Sequence, residues 1–303
     1  MPMSKDVQTR SFYKACQDTL MSASAASITR ALLDSAVFPL YLASNTLQTQ
    51  GAYQQPSQYN SSMSVLKGIC QKEGFKRVYK GMPTVISAAV PGNLLFFATI
   101  TIGNELTQNR PCGAALTGYV AQVAASLAYV PATIMSDAQQ SRQLRSQWQR
   151  SDLTVYQFIK KQGLGSLYKG FWPHTLSYGA CNALALTMIQ YLQSNNTPKN
   201  QSTHLITSLA SYWLAAAVTT PLEITRRRLQ FHNFDPKNFP DTKFHHAAYG
   251  IVQREGVRGL FAGTISRSCW LSLRTAPALF ISQKVFDRIS SEADNRAQPT
   301  PHI

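Results

Sequence analysis

The sequence predicts an all-α membrane protein in which six transmembrane helices form three tandem helix–loop–helix repeats. Three observations carry that prediction. Six long stretches are wholly or nearly free of charge. A proline motif recurs at two almost equal steps. A glycine motif then follows each proline motif in phase.

Asp, Glu, Lys and Arg make up 14% of the 303 residues, against about a quarter in soluble domains. Yet the formal net charge is +15. Spanning a bilayer core takes about 20 mostly apolar residues in a helix. Taken in order, the first candidate span is 20–48, which carries Arg30 and Asp34. Residues 81–104 follow, enclosed by Lys80 and Glu105, and then 111–136, enclosed by Arg110 and Asp137. The fourth span lies within 170–198 and the fifth within 200–222, neither of which holds an acid, lysine or arginine. The sixth, 264–286, carries Arg267, Arg274 and Lys284. Mean hydropathy is only −0.15, so the polar residues of these spans are expected to face one another or water rather than lipid.

The repeats are legible directly. VFPLYLASNTLQ, YVPATIMSDAQQ and TTPLEITRRRLQ place prolines at Pro39, Pro131 and Pro221, each followed nine residues later by a glutamine: Gln48, Gln140 and Gln230. Further on stand EGFKRVYKG, QGLGSLYKG and EGVRGLFAG, closing at Gly81, Gly170 and Gly263. Repetition at one period marks a repeat architecture. The boundaries expected are 11–108, 109–200 and 201–290, with a disordered tail over 291–303. Each long odd-numbered helix is expected to end near its proline kink. VLKGICQ, VYQFIKK and AAYGIVQ read as short surface helices. Runs such as SASAAS (22–27) suit close helix contacts in lipid.

Charge places the loops. Loops 40–80, 138–169 and 223–262 hold 18 of the 29 Lys and Arg but only six acids, and all three lie on one side. Such a face suits anionic lipid, at about 1 kcal/mol per basic group. The six uncharged spans exclude a nucleic-acid-binding protein. No nucleophile–base constellation stands out, so no catalytic residue and no enzyme is expected. The cysteines, Cys16, Cys70, Cys112, Cys181 and Cys269, form no CxxC pair, and no metal site or cofactor is expected. The opening MPMSKDVQTRSFYKACQDTL has no apolar signal core and holds Asp6 and Asp18, so no secretory signal or cleaved transit peptide is expected.

This pattern resembles the mitochondrial carrier family, whose repeats carry P-x-[DE]-x-x-[KR], then [DE]-G and an aromatic-[KR]-G. The resemblance runs from about residue 15 to 290. It implies threefold pseudosymmetry around a central cavity, alternating access, a multi-pass inner-membrane location and a monomer. It also implies cardiolipin sites at the helix-start motifs Tyr79, Lys80, Gly81 and Tyr168, Lys169, Gly170, where backbone N–H groups suit a lipid phosphate.

The departures from the family pattern are concentrated in its gates. The family pairs the acid of one repeat with the base of the next on the matrix side, braced by the glutamines. Here only Glu223 and Arg226 stand at those charge positions; Tyr41, Ser44, Thr133 and Ser136 replace the rest. The pairing implied is Glu223 with Ser44, Arg226 with Thr133, and Tyr41 with Ser136, so that no ion pair survives. The opposite gate reads TITIGN, MIQYLQ and ISQKVF, without the family's acid. Both gates are therefore expected to be weak, and the chain reads as a divergent member, including one that a bacterium delivers into host mitochondria.

The family places solute contacts about seven residues past each closing glycine, which implies Ala88, Ser177 with Tyr178, and Trp270. Independently of any family, Arg267, Trp270 and Arg274 share one helical face. Buried arginines there suit a forked phosphate contact, and Trp270 suits a planar ring. The competing reading is that the two arginines pair with Asp34 or with helix ends and only hold the bundle. Asp34 maps to a cavity-facing position, and His174 lies on a polar interior face. The expected function is transport of an anionic solute, a nucleotide such as ATP or ADP first and another organic anion second, by antiport. The alternative is a carrier-fold scaffold or receptor, in the inner or outer mitochondrial membrane, that has lost transport.

Overall fold

The computed structural model describes residues 5–50, 59–107, 110–140, 160, 163–168, 170–195, 201–232 and 243–297. In chain order the helices are α1 (Lys5–Thr49), α2 (Ser62–Glu73), α3 (Met82–Leu106), α4 (Pro111–Gln140), α5 (Phe171–Asn195), α6 (Gln201–Val218), α7 (Thr220–His232), α8 (Phe244–Glu255) and α9 (Thr264–Ala297). A 3₁₀ turn precedes each of α3, α5 and α9: Phe75–Tyr79, Leu164–Tyr168 and Val257–Phe261.

Six long helices close a ring. Helix α1 packs on α3, α3 on α4, α4 on α5, α5 on α6, α6 on α9, and α9 back on α1. Small residues line the contacts. Ala23, Ala26, Ala121, Ala125, Ala185, Ala215 and Ala216 are all buried. Gly118 lies so close to α5 that an added Cβ would stand 2.9 Å from the Asn182 carbonyl oxygen. Where lipid is as apolar as leucine, such backbone approach supplies the packing that water-driven burial cannot.

The bundle is polar inside and apolar outside. Leu32, Leu95, Leu116, Leu184, Ile206 and Leu273 point outward. Arg30, Asp34, Asp137, Glu223, Arg226, Arg227, Arg267 and Arg274 are buried. This inversion explains why hydropathy alone finds few spans among the described residues. By length and apolarity, only Phe75–Asn104 and Cys112–Asp137 qualify, with Ser202–Val218 and Thr220–Gln230 as a third if the bent pair counts as one.

The prolines act differently from one repeat to the next. Helices α1 and α4 run through Pro39 and Pro131 and continue for several turns. In the third repeat the chain bends by 55° between α6 and α7, just before Pro221. A proline there has no N–H and crowds the preceding turn. The exposed carbonyls are recovered locally: Thr219 and Thr220 hydroxyls donate back to Ala215 and Ala216 at 2.7 and 2.8 Å.

Two surface helices, α2 and α8, match the expected VLKGICQ and AAYGIVQ segments. Ser61 and Ser64 form a reciprocal capping box at the start of α2. Most of VYQFIKK, together with Lys169 and the Gln140 side chain, lies outside the described residues. The last helix runs to Ala297, into the stretch expected to be a disordered tail. The Glu292–Ala293 and Arg296–Ala297 pairs are good helix formers, and no proline interrupts them before Pro299.

The closing glycines have a geometric reason. Gly81, Gly170 and Gly263 have φ of 88°, 87° and 70°. Gly170 also receives the neighbouring repeat: an added Cβ would lie 2.6 Å from Gln230 Cγ. At Gly263 it would lie 3.2 Å from Leu47 Cβ. Gly163, with φ of 78°, has nothing within 4 Å. Gly163→Ala should therefore cost only the left-handed backbone penalty of about 1–2 kcal/mol. Gly170→Ala should cost clearly more, because the contact is added. Thermal unfolding of the detergent-solubilised protein checks this; equal losses would show that the Gln230 approach contributes nothing.

Candidate functional site

Two polar layers cross the bundle interior. The first lies where the three proline-bearing helices converge on the side of the long loops. Asp137, on α4, is its centre. Its Oδ1 accepts from the Tyr41 hydroxyl and from Asn45 Nδ2, both at 2.9 Å. Its Oδ2 faces Arg227 Nη1 at 3.4 Å. Arg227 also pairs through Nε with Glu223 at 2.8 Å, and its guanidinium lies 5.5 Å from the Tyr41 ring centre.

Glu223 is held from several directions. Arg226 grips it with Nη2 and Nε at 2.6 and 2.9 Å. The Ser177 and Tyr178 hydroxyls donate to it at 2.9 and 3.4 Å. Arg226 also donates to Gln230, which donates onward to the Gly170 carbonyl at 3.4 Å. Arg228 leaves this layer and pairs with Glu255 of α8.

The expected pairing is corrected by this geometry. Glu223 takes Ser177 and Tyr178 rather than Ser44, whose hydroxyl has no hydrogen bond. Thr133 bonds its own helix at Val130 rather than Arg226. Tyr41 reaches Asp137 rather than Ser136. An ion pair between repeats does survive, Arg227 with Asp137, so the loop-side closure is not weak. The physical reason is a shift along the helix. Asn45, Asp137 and Arg227 each stand six residues after the proline of their repeat, one beyond the expected base. That common offset was visible in the sequence. Of the glutamines, Gln230 braces Arg226 as expected, whereas the buried Gln48 amide makes no hydrogen bond among the described residues.

The second layer lies deeper toward the opposite side. Arg274 Nε pairs with Asp34 at 2.9 Å. Its Nη2 donates to the Tyr129 hydroxyl at 3.3 Å, and its guanidinium stacks 4.5 Å from the Trp270 ring centre. Trp270 packs in turn against Tyr41, 4.8 Å between ring centres. Arg267 does not join them. It turns to the α6–α7 bend, donating to the Ala216 carbonyl and to the Thr219 hydroxyl at 3.2 Å. His174 is buried beside Tyr178, at 4.7 Å between rings. Ala88 is half-buried and takes no part in either network. Asp34, Trp270 and Arg274 are thus brought together, while Ser177, Tyr178 and Arg267 belong to the first layer and its bend.

Above the second layer a cleft of about 430 Å³ opens on the side away from the loops. Thr101, Asn104, Gln190, Gln193, Gln283 and Asp287 supply its polar wall. Gln190 donates to Asn104 at 3.4 Å. No cluster of His, Cys, Asp and Glu suited to a metal exists among the described residues.

Comparison with known proteins assigns the family. The profile described as "Mitochondrial carrier protein" matches three times, over 16–111, 107–200 and 197–291, and the chain belongs to the mitochondrial carrier family. It is 25% identical over 241 residues to mitochondrial substrate carrier family protein E of Dictyostelium discoideum, covering 71% of this chain and 79% of that one. To a mitochondrial glutathione transporter of Bos taurus it is 26% identical over 282 residues, covering 86% and 76%. To mitochondrial nicotinamide adenine dinucleotide transporter 1 of Saccharomyces cerevisiae it is 23% identical over 280 residues, covering 86% and 74%. The protein is therefore a divergent multi-pass carrier of the mitochondrial inner membrane, in a family of solute transporters rather than enzymes.

Asp137→Asn should loosen the loop-side layer. It weakens three contacts but leaves Arg227 its Glu223 partner, so the expected loss is about 1.5–3 kcal/mol, the worth of a charge-assisted hydrogen bond. The Asp137→Asn, Arg227→Gln double variant should lose less than the sum of the single losses, because the two groups are in contact. A thermal-unfolding double-mutant cycle checks this, and strict additivity would mean that the pair is not coupled.

Proposed function

We propose that the protein carries an organic anion across the inner membrane by alternating access, with a nucleotide such as ATP or ADP as first candidate and antiport as the mode. One observation supports this above the others. Among the described residues, apart from Arg228, which pairs with Glu255, five buried arginines (Arg30, Arg226, Arg227, Arg267, Arg274) meet three buried carboxylates, Asp34, Asp137 and Glu223. A membrane interior with excess positive charge is costly unless an anion completes it.

The route follows from the two layers. The cleft admits solute from the side away from the loops. The Asp34–Arg274 pair lies beneath it, and arrival of an anion offers Arg274 a second acceptor while leaving the Trp270 ring as an apolar support. The Asp137–Arg227–Glu223 layer below acts as the barrier. That layer opens only by as much as the solute binds the loop-open form more tightly than the loop-closed one.

The relatives' names support anions without choosing one: glutathione and nicotinamide adenine dinucleotide both carry negative charge, and other organic anions stand second to nucleotides. Similarity to S-adenosylmethionine carriers puts a positively charged solute on the panel as the counter-case. The six-helix ring closes within one chain, which supports a monomer as the working unit. The helix starts after Gly81 and Gly170 supply first-turn backbone N–H groups, which suit a cardiolipin phosphate.

Labelled ATP, ADP, glutathione, dicarboxylates and S-adenosylmethionine should be offered to liposomes containing the purified protein. Saturable uptake of an anion is expected. An Asp34→Asn, Arg274→Gln double variant removes the pair together, so no lone buried charge remains. Its uptake should fall about tenfold or more, equivalent to about 1.4 kcal/mol of lost binding. Uptake of S-adenosylmethionine alone would overturn the anion assignment. No uptake of any solute by folded protein would overturn transport in favour of a scaffold.

A further inference from the structure

Arg30 has no place in either network. It is buried at mid-bundle on α1, and its Nε and Nη1 have no hydrogen-bond partner. Its guanidinium rests on aromatic faces instead, 4.9 Å from the Phe96 ring centre and 5.7 Å from that of Phe97. The one carboxylate on its own helix face, Asp34, is committed to Arg274 at 2.9 Å. An arginine cannot shed its proton to relieve burial, so a positive charge stands here without a close counter-charge.

Beside it the Asp34 carboxylate faces Arg274 and Arg30 together and makes no hydrogen bond among the described residues. The Tyr129 and Tyr212 phenols lie within electrostatic reach of Arg30. Tyr129 is already used: it donates to Asn93 Oδ1 and accepts from Arg274. What remains unspent is the Tyr212 hydroxyl and Asn93 Nδ2, both fully buried. Asn93 precedes Phe96 and Phe97 by three and four residues, so it shares their face of α3. Four buried donor atoms from α1, α3 and α6 therefore lie near one another, and the one carboxylate beside them among the described residues, Asp34, is already paired with Arg274. Native interiors rarely leave such groups unpaired, and the missing partner has a definite chemistry: several acceptor oxygens and a negative charge.

Access is built in. Ile100 lines the cleft one helical turn above Phe96 and Phe97, and Ser208 lines it one turn from Tyr212. The donors thus lie about one helical turn beneath the cleft without lining it. We propose that Arg30, Tyr212 and Asn93 form an oxyanion subsite one turn beneath the cleft, which takes the phosphate or carboxylate group of the solute beside Arg274. The subsite rests on the transport reading for what delivers the anion there.

The test uses the full-length protein in detergent. The unfolding midpoint is followed against inorganic phosphate, pyrophosphate and citrate, with sodium chloride at matched ionic strength as control. At least one of the three oxyanions should raise the midpoint where chloride does not. If pyrophosphate or phosphate acts and citrate does not, the group is a phosphate; the reverse makes it a carboxylate. Arg30→Gln and Tyr212→Phe should each raise the half-saturating concentration, Arg30→Gln at least tenfold, while Arg30→Lys retains part of the response. Without anion, Arg30→Gln should unfold at the same temperature as the native protein or higher, because it removes an unpaired charge; a purely structural arginine would lower it. An undiminished response in Arg30→Gln, or no response of the native protein to any of the three oxyanions, overturns the subsite. Oxyanion stabilisation lost in Arg30→Gln, combined with no uptake into liposomes, would instead overturn transport and leave the subsite standing.

Discussion

The structure turns on Asp137. This one carboxylate gathers Tyr41 and Asn45 from the first repeat and Arg227 from the third, while standing in the second. Three helices have little reason to converge by packing alone, since lipid would cover their apolar faces equally well. A buried acid with three donors around it supplies the reason. Removing any one partner leaves a charged group in a place where water cannot repay it. The Glu223–Arg226–Arg227 cluster continues the same logic along α7, and the Gln230–Gly170 contact passes it to the start of α5.

This arrangement explains why the rest of the bundle is so plain. With polar groups paired inward, the outer surface needs only apolar bulk, and the seams need only small residues. It also explains the differing treatment of the prolines. In the first two repeats the helix passes its proline unbroken. In the third, the bend places Glu223, Arg226 and Arg227 at the convergence point. Arg267 then becomes part of the bend, because carbonyls freed at the end of α6 require a donor.

The fold was legible in the sequence because its signals are redundant. The six charge-free spans, the three prolines and the three closing glycines each point to the same triplication. The site was legible only in part. Glu223 and Arg226 were found because they match a known spacing, and the Asp34–Arg274 pair because two opposite charges stood inside apolar spans. Asp137 was missed because it ends an uncharged stretch and so read as a boundary, and Arg227 because it stands outside the family's charge positions. Only their shared offset from the prolines, together with Asn45, discloses them, and an offset of mixed residue types has no charge pattern to draw the eye. The helical continuation to Ala297 was missed because charged, small-residue sequence at a terminus reads as solvated chain.

The two ends of the bundle are closed by different chemistry, and that difference bears on the cycle. On the loop side the contacts are ionic and buried; on the cleft side the polar lining is amides and hydroxyls with the carboxylate of Asp287, and Gln190 and Asn104 already touch. Neutral amide contacts are roughly half as strong as charge-assisted ones. The form closed on the loop side and open at the cleft is therefore the expected resting form, and returning to it costs little. Leaving it requires a ligand that binds the opposite form better by as much as the ionic layer holds. An anion is suited to that task in a way a neutral solute is not. On the proposed reading it competes with Asp34 for Arg274, and the packing of Trp270 on Tyr41 links that site to Asp137. On the proposed cycle, solute charge at the upper layer is thereby coupled to the stability of the lower one through a single pair of aromatic rings.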